Sequence, residues 1–412
     1  MSAGEVASRA GLEEADAERA DAPLAGVRVL DLTRLLPGPM CMLYLADLGA
    51  DVVKIEDTGA GDYARTLRAG GDAGGAGPTS WYRAINRNKR SLAIDLKRAE
   101  GHAAFVALAR GADVIVESFR PGVMQSLRIG YDAIRAINPR IVYCSISGYG
   151  QHGPRALAAG HDLNYLGYAG VLHATGARNG PPALASLQIA DLLGGAASAT
   201  IGILGALVGA QRRGAGRYVD VAMADAVLAH QVFALGAFED SGHVAPRGED
   251  LLTGGYPCYG VYETRDGGFV AVGALEAKFW SALCGALGRD DLVPRQFARG
   301  DAGEKVRAEL ATLFRSRTRD EWTARFADAD CCVTPVLTFA EALADAQFTA
   351  RRMVKRDAAG GLSFAPPFAL TPPAMKRERA APRQGEHGRE VLREAGYDEA
   401  AIDALVASGV VR

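Results

Sequence analysis

Short runs of consecutive apolar residues alternate with helix-length segments from Val27 to Ser147. The strand-like runs are VRVLDL, DVVKIE, SLAIDL, DVIVES and RIVYCSIS, and the segments between them include PGPMCMLYLADLGA, AEGHAAFVALARGA and YDAIRAIN. A strand that is apolar at almost every position is buried on both faces, which is typical of a parallel sheet covered by helices. The pattern predicts an open α/β layer, and ligands of such layers bind at the carboxyl ends of the strands.

The later part of the chain first completes the large domain and then predicts a second, smaller domain. A long helix of small residues opens at Asp191, a strand RYVDVAM follows, and ADAVLAHQVFALGAF predicts another helix. The stretch GGYPCYGVYETRDGGFVAVGALE predicts two strands joined by a hairpin at RDGG, with helices after it. The predicted division is a disordered tail at 1–22, a large α/β domain at 23–225, a linker at 226–253, a small α+β domain at 254–338, and a returning segment at 339–412 that packs on the large domain.

Composition excludes several classes of partner. The formal net charge is −2, which favours neither nucleic acid nor a membrane surface. The six cysteines show no C-x-x-C spacing, so we expect reduced thiols and a cytoplasmic protein. The N-terminal stretch is acidic and has no apolar core, unlike a signal peptide. The uncharged run from Leu192 to Ala210 is rich in Gly and Ala, which favours a buried helix over a membrane span.

Phosphate-binding motifs of the common kinds are missing. The chain has neither a G-x-G-x-x-G fingerprint in the right context nor a G-x-x-x-x-G-K-[ST] loop. Two basic segments lie beside predicted strands, NRNKRS and SFRPG. The arginine of the second segment, Arg120, follows the strand DVIVES, where a guanidinium can hold a phosphate. The alternative is a solvated surface turn.

Three titratable residues are candidates for chemistry, each with a structural alternative. His161, in the segment GHDLNY, is an acid or base, or a hydrogen-bonded structural histidine. Asp191, in IADLLGG, is alternatively a helix N-cap whose carboxylate accepts backbone N–H groups and is kept ionised by a lowered pKa. Glu276 lies between a strand and a helix and is alternatively a cap. No metal-ligand spacing joins them, and no G-x-S-x-G elbow is present.

Several motifs in order resemble one superfamily over nearly all of Pro23 to Arg412. They are LAGVRVLDLTRLLPGPMCMLYLADLGADVVKIE, NRNKRSLAIDLK, ESFRPGV, SISGYGQHGP, GHDLNYLGYAGVL and AGYDEAAIDALVASGVV. Together they resemble the family III CoA-transferase (CaiB/BaiF) superfamily, with the α-methylacyl-CoA racemases as its most similar branch. The resemblance implies a large CoA-binding α/β domain, a smaller second domain, and an interlocked homodimer whose active site lies between domains of different chains.

The resemblance implies two competing chemistries. In the transferase branch the aspartate matching Asp191 is a nucleophile that forms an acyl anhydride and then an aspartyl-CoA thioester. In the racemase branch that aspartate is an acid/base paired with the histidine matching His161, which a glutamate matching Glu276 orients. Transferases usually carry a polar residue where this chain has Leu36. We therefore expect a racemase that inverts the α-carbon of 2-methyl-branched acyl-CoA thioesters through an enolate; the alternatives are a CoA-transferase and a non-catalytic acyl-CoA-binding protein.

The resemblance also implies how the CoA moiety is held. It assigns Arg87 and Arg120 to the nucleotide phosphates and Ile55 to the neighbourhood of the adenine. The remaining residues expected along the CoA path are Ile85, Asn86, Asn88, Ser118 and Phe119. Ser126 stands where a further basic contact is usual, and Arg128 is the expected substitute.

Further expectations concern the rest of the site. We expect Asp162 to be structural, because neighbouring side chains of an extended segment point in different directions. The backbone of the GGA segment after Asp191, or another helix N-terminus, is the expected source of donors to the enolate oxygen. The mechanism needs no metal and no cofactor beyond the CoA moiety of the substrate.

Overall fold

The computed structural model describes residues 21–68, 77–356, 361–371 and 379–412, which form two compact units. The first unit contains the described residues of Met1–Ala169, Leu187–His230 and Arg352–Arg412, and the second contains Gly170–Ser186 and Gln231–Arg351. The tail predicted at 1–22 lies, up to residue 20, outside the described residues.

The helices and strands alternate in the order that the apolar pattern predicts. The strands are β1 Arg28–Leu32, β2 Asp51–Glu56, β3 Lys89–Ala93, β4 Val114–Glu117, β5 Val142–Ser147, β6 Tyr218–Ala222, β7 Tyr259–Glu263, β8 Phe269–Gly273, β9 Val333–Pro335, β10 Val354–Arg356 and β11 Leu362–Phe364. The α-helices are α1 Pro37–Asp47, α2 Ser80–Asn86, α3 Ala99–Arg110, α4 Val123–Ser126, α5 Tyr131–Ile137, α6 Asp162–Tyr168, α7 Val171–Ala174, α8 Ser198–Arg213, α9 Met223–Ala229, α10 Val232–Ser241, α11 Ala277–Leu287, α12 Gly300–Phe314, α13 Arg319–Phe326, α14 Phe339–Ala344, α15 Ala346–Ala350, α16 Gly388–Glu394 and α17 Glu399–Ala407.

A six-stranded parallel sheet with the order β3-β2-β1-β4-β5-β6 organises the first unit. The strand order reverses direction between β1 and β4, where Leu32 pairs with Glu117. In open α/β sheets this reversal leaves a crevice at the carboxyl ends of the strands, and ligands bind there. The predicted α/β layer is confirmed, and its topology points to one edge of the sheet as the place for a site.

Both faces of the sheet are covered, which explains the continuous apolar runs. On one face the strands share a core with α3, α5, α16 and α17, through side chains such as Phe105, Ile134 and Leu405. A β-bridge joins Val411, near the C-terminus, to Ile94, the residue that follows β3. On the other face α1 and α8 contact the strands.

A π-helix, Ala190–Ala197, continues without a break into α8. Gly194 and Gly195 allow it to approach its neighbours, because a Cβ on Gly194 would lie 2.7 Å from the Met223 carbonyl oxygen and one on Gly195 would lie 2.6 Å from the Pro37 Cβ. The whole helix, Ala190–Arg213, is long and apolar enough to cross a membrane by length and composition, and 44% of its most apolar window is buried in the protein. Its contacts with α1, α9 and the strands show a helix packed on one side, while Ile201 is 72% exposed, so the expected buried helix is only partly buried in the single chain.

The second unit is built on an antiparallel sheet in the order β7-β8-β9. The hairpin predicted at RDGG joins β7 and β8, with Gly267 at a φ of 77°. Trp280, Phe314 and Trp322 bury one face of the sheet in a core of their own. The helix predicted across residues 224–238 is instead two, α9 and α10, because the chain leaves helical geometry at Gln231, where the second unit resumes in sequence. The stretch expected as a linker, 226–253, therefore carries helical structure.

Candidate functional site

A cavity of about 670 Å³ opens in the first unit at the edge of the sheet where the strand order reverses. Its walls come from the segments that follow β1, β4 and β5, together with α6 and the π-helix. The lining residues are Arg34, Leu35, Leu36, Pro37, Leu67, Trp81, Ser118, Phe119, Arg120, Pro121, Ile146, Ser147, Gly148, Ala156, Ala158, Ala159, Gly160, His161, Asn164, Tyr165, Asp191 and Met223. The cavity thus brings together two of the three predicted acid/base residues and the predicted segment Ser118–Arg120.

Asp191 is the second residue of the π-helix and lies in the cavity wall. Its backbone N–H donates to Oδ1 of Asp162 at 3.0 Å. Burial, followed by the nearby Asp162 carboxylate, raises the pKa of Asp191 to about 7. The structural alternative for Asp191, an N-cap carboxylate with a lowered pKa, is therefore wrong: Asp162 supplies the capping oxygen, and Asp191 is left half-buried beside a like charge.

His161 immediately precedes α6, and the surrounding turn fixes its backbone. Its N–H donates to Oδ1 of Asn164 at 3.0 Å, and its carbonyl accepts the N–H of Asn164 at 2.8 Å. The Tyr165 hydroxyl donates to the Gly160 carbonyl at 2.5 Å, which ties the helix to the residue before His161. These bonds hold the backbone while leaving the imidazole of His161 exposed and in the cavity wall.

Glu276 belongs to the second unit and occupies the N-cap position of α11. Its side chain makes no capping hydrogen bond and is exposed. The structural alternative of a side-chain cap therefore has no support. The predicted contact of Glu276 with His161 stays a prediction.

The segment Ser118–Arg120 forms a tight turn directly after β4. The Phe119 N–H donates to Oε2 of the buried Glu117 at 2.7 Å, and the Arg34 N–H donates to the Ser118 hydroxyl at 3.2 Å. Burial raises the pKa of Glu117 to about 7. The turn is thus anchored both to its own strand and to the segment after β1, and it presents the exposed Arg120 to the cavity.

The second predicted CoA-binding segment has a different setting. Arg87 is 5% exposed, and its guanidinium pairs with both carboxylate oxygens of Asp47 and donates to the Phe364 carbonyl. The other residues predicted near the nucleotide are also buried, and none of them lines the cavity; they are Ile55, Ile85, Asn86 and Asn88. In this conformation Arg87 therefore has a structural partner where the resemblance implies a phosphate.

Two further expectations also fall away from the cavity. Arg128, the expected substitute for a missing basic contact at Ser126, is exposed and does not line it. Gly194 and Gly195 are buried within the π-helix against Met223 and Pro37, so packing accounts for the GGA segment. The N-terminal turn of α1 reaches the cavity wall through Leu36 and Pro37, so the positive end of this helix lies at the cavity.

Buried charges hold the first turn of the cavity wall in an unusual conformation. Leu35 has a φ of 64°, and its N–H donates to Oδ1 of Asp62 at 3.0 Å. Lys54 pairs with Asp62 at 2.8 Å and donates to the Thr33 carbonyl at 2.9 Å, with both charged side chains fully buried. A β-region conformation at Leu35 would break the bond from its N–H to the buried Asp62 carboxylate, so the buried ion pair helps to hold the turn.

The sequence pattern did not single out Arg34 or Asp62. Arg34 lies within the first segment that carries the resemblance, but no role was assigned to it, and its bond to Ser118 depends on the strand order. Within the described residues no group of three or more His, Cys, Asp or Glu could hold a metal ion. All six cysteines are free thiols, and five of them are buried.

The fold and the cavity define a protein of the α/β class with a histidine, an aspartate and a basic turn in one cavity at the strand-order reversal. The family model described as CoA-transferase family III matches residues 24–388, so the chain belongs to this family. The chain is 36% identical over 392 residues to the human alpha-methylacyl-CoA racemase, covering 94% of this chain and 97% of the relative.

Other similar proteins are named as transferases or are known only by the name of the family. An acyl-CoA transferase of Fusarium pseudograminearum is 35% identical over 410 residues, covering 94% of this chain and 88% of the relative. The crystal structure of a CaiB/BaiF family protein from Brucella suis superimposes with a TM-score of 0.77 at 29% identity, covering 91% of this chain and 99% of that one. Racemase and transferase names thus occur at nearly equal identity.

Proposed function

We propose that the protein is a racemase or epimerase that inverts the α-carbon of 2-methyl-branched acyl-CoA thioesters by two-base proton transfer. The observation that carries the proposal is the placement of His161 and Asp191 in the wall of one cavity. Besides these two, the titratable lining residues are two arginines and Tyr165. An imidazole and a carboxyl group are suited to exchange protons with a carbon acid near neutral pH.

The proposed reaction moves one proton off the α-carbon and another onto its opposite face. One of the pair, as a neutral imidazole or a carboxylate, removes the α-proton, whose acidity comes from the thioester carbonyl. The electron pair moves onto the carbonyl oxygen as an enolate. The other group, protonated at the outset, delivers its proton to the opposite face. Because the roles exchange in the reverse direction, each group must be able to hold and release a proton.

The raised pKa of Asp191 supports this role. With a pKa of about 7, the carboxyl populates both forms at neutral pH. An ordinary aspartate would be almost fully ionised there and would be a poor proton donor. Leu36 lines the same cavity as Asp191 and adds an apolar surface where the transferase branch usually has a polar group.

Proton exchange in deuterated water tests the proposal. The R and S epimers of a 2-methylacyl-CoA are incubated with the protein, and α-deuterium and epimer ratio are measured by mass spectrometry and chiral separation. We expect deuterium at the α-carbon and both epimers from either start, and a loss of at least 10²-fold in His161→Ala or Asp191→Asn. Binding of CoA without exchange across a panel of branched acyl groups would refute the racemase.

A CoA-transferase is the second candidate function, and the 35% identity to a relative named as an acyl-CoA transferase favours it. Asp191 would then attack the thioester carbonyl and release the CoA thiolate, giving an acyl anhydride. The thiolate attacks the aspartyl carbonyl of this anhydride, which frees the first carboxylic acid and forms an aspartyl-CoA thioester, and a second carboxylate takes the CoA by the same steps in reverse. Borohydride reduction after acyl-CoA addition should convert Asp191 to a homoserine-type residue in that case. An unmodified Asp191 peptide, with no CoA moved to a free acid, excludes it.

We propose further that the reaction needs no metal and no cofactor beyond the CoA moiety, so that activity survives EDTA treatment and dialysis.

We also propose a cytoplasmic homodimer in which Glu276 orients His161. The apolar side chains of α10 support the dimer, because Val232, Phe233 and Leu235 are between 62% and 66% exposed in the single chain. Light scattering of the purified protein should give twice the mass of 43.2 kDa, and a monomer would contradict this.

A further inference from the structure

Arg34 and Arg120 follow the two strands between which the sheet order reverses. Arg34 lies two residues after β1 and Arg120 three residues after β4, and these strands pair in parallel with Leu32 opposite Glu117. Both arginines line the cavity that contains His161 and Asp191. A ligand in the crevice would therefore meet a guanidinium from each side of the reversal.

The Arg34 side chain is held between two aromatic rings. Its guanidinium carbon lies 5.4 Å from the ring centroids of both Tyr63 and Phe119. One terminal nitrogen donates to Oδ2 of Asp57 at 2.7 Å, and the Asp57 side chain is 44% exposed. The aromatic contacts orient the guanidinium, while its partly exposed carboxylate partner can exchange for another anion at little cost.

The charge of the cavity wall favours an anion near these arginines. Asp191 is the one carboxylate among the lining residues, against two guanidiniums. Arg87 is bound on two sides to the buried Asp47, so a phosphate would have to displace a buried carboxylate to reach it. To bind a phosphate, Arg34 would lose only a partly exposed ion pair with Asp57.

We propose that Arg34 is a second cationic ligand of the CoA nucleotide phosphates, acting with Arg120 across the ends of β1 and β4. The inference rests on the proposed acyl-CoA function and adds the residue that holds the nucleotide beside Arg120. Without CoA, the Asp57 carboxylate pairs with the Arg34 guanidinium and keeps it in position, and a CoA phosphate replaces this carboxylate on binding. The exposed ring of Tyr63 extends the same surface.

Calorimetric titration with free CoA tests the proposal without depending on turnover. Arg34→Ala should weaken CoA binding by about 10- to 100-fold, because a hydrogen-bonded charge is lost from the ligand. Arg83→Ala is the matched control: Arg83 is an exposed arginine of α2 that does not line the cavity, and this variant should bind like the wild type. Thermal unfolding of each variant checks that the fold is intact.

Asp57→Asn gives a prediction of opposite sign. Removing the competing carboxylate should leave CoA binding unchanged or tighten it by about 2- to 5-fold, while the amide oxygen can still accept the N–H groups of Gly59 and Gly61 that Asp57 binds now. Wild-type affinity in Arg34→Ala, or an equal loss in Asp57→Asn, would overturn the proposal, since the pair would then be structural. A wild-type protein that binds no CoA would overturn the proposed function itself, which is a different result.

Discussion

Asp162 adds to the effect of burial in raising the pKa of Asp191, and the substitution Asp162→Asn isolates the contribution of its charge. The Asp162 carboxylate accepts the Asp191 N–H at 3.0 Å and, after burial, is the second cause of the raised pKa of Asp191. Asparagine keeps an oxygen in place for the hydrogen bond and removes the charge. The variant therefore changes the electrostatics of the site while preserving its backbone geometry.

The expected change in the pKa of Asp191 depends on how much of its present shift comes from the Asp162 charge. The pKa of Asp191 rises from 3.8 to about 7, with burial as the larger cause. Removing a neighbouring like charge should lower it by about one unit, or about 1.4 kcal/mol, while burial keeps it above the ordinary range. The protonated fraction at pH 7 then falls from about half to about a tenth, so proton donation by Asp191 should slow about fivefold.

The assay is the pH dependence of kcat/KM for α-deuterium exchange, measured from each epimer. The limb that reports Asp191 should move by about one unit to lower pH in Asp162→Asn. Asp132→Asn, which removes an exposed carboxylate from the first turn of α5, is the control and should leave the profile unchanged. A profile of Asp162→Asn that coincides with the wild type would refute the electrostatic role of Asp162.

Three further predictions concern stability. The pKa of Glu117 is raised to about 7, so the folded protein loses stability as the pH rises from about 4.5 to 7. Urea unfolding should therefore show Glu117→Gln to be more stable than the wild type by up to about 3 kcal/mol at pH 8, with no difference near pH 4. Arg87→Met should cost about 3–5 kcal/mol by leaving Asp47 buried without its guanidinium, and Arg87→Met combined with Asp47→Leu should recover much of this loss. Gly195→Ala should lower the free energy of unfolding by about 1–3 kcal/mol and lower activity, because the new Cβ would collide with Pro37 in the cavity wall. Gly205→Ala in α8, where a Cβ meets open space, should instead raise the free energy of unfolding by about 0.5–1 kcal/mol, measured by calorimetry.

The sheet was predictable because burial on both faces leaves a strong mark in a strand. The runs predicted for β1, β2, β4, β5 and β6 each contain the observed strand. β3 begins two residues before its predicted run SLAIDL, because Lys89 and Arg90 are buried by ion pairs that hydrophobicity cannot reveal. The short helices α2, α4 and α6 carry too few apolar repeats to be recognised from the pattern.

The site was predictable only in part, because its residues come from separate segments. Motif resemblance located His161, Asp191 and Ser118–Arg120, which the cavity does bring together. The position of Asp191 in a π-helix and its raised pKa could not be read from the sequence, since the pKa depends on burial in the folded unit and on the nearby Asp162. Arg34 was invisible for the same reason: its role depends on which strand lies beside β1.

The proton affinity of Asp191 bears directly on the choice between the two chemistries. A nucleophilic carboxylate acts only when ionised, so a transferase with a pKa of about 7 at Asp191 would gain rate through neutral pH and then level off. A two-base racemase needs one group protonated and the other not, so its rate must fall on both sides of a maximum. A rise to a plateau would favour the transferase and a bell would favour the racemase, even before the acyl group that the protein prefers is known.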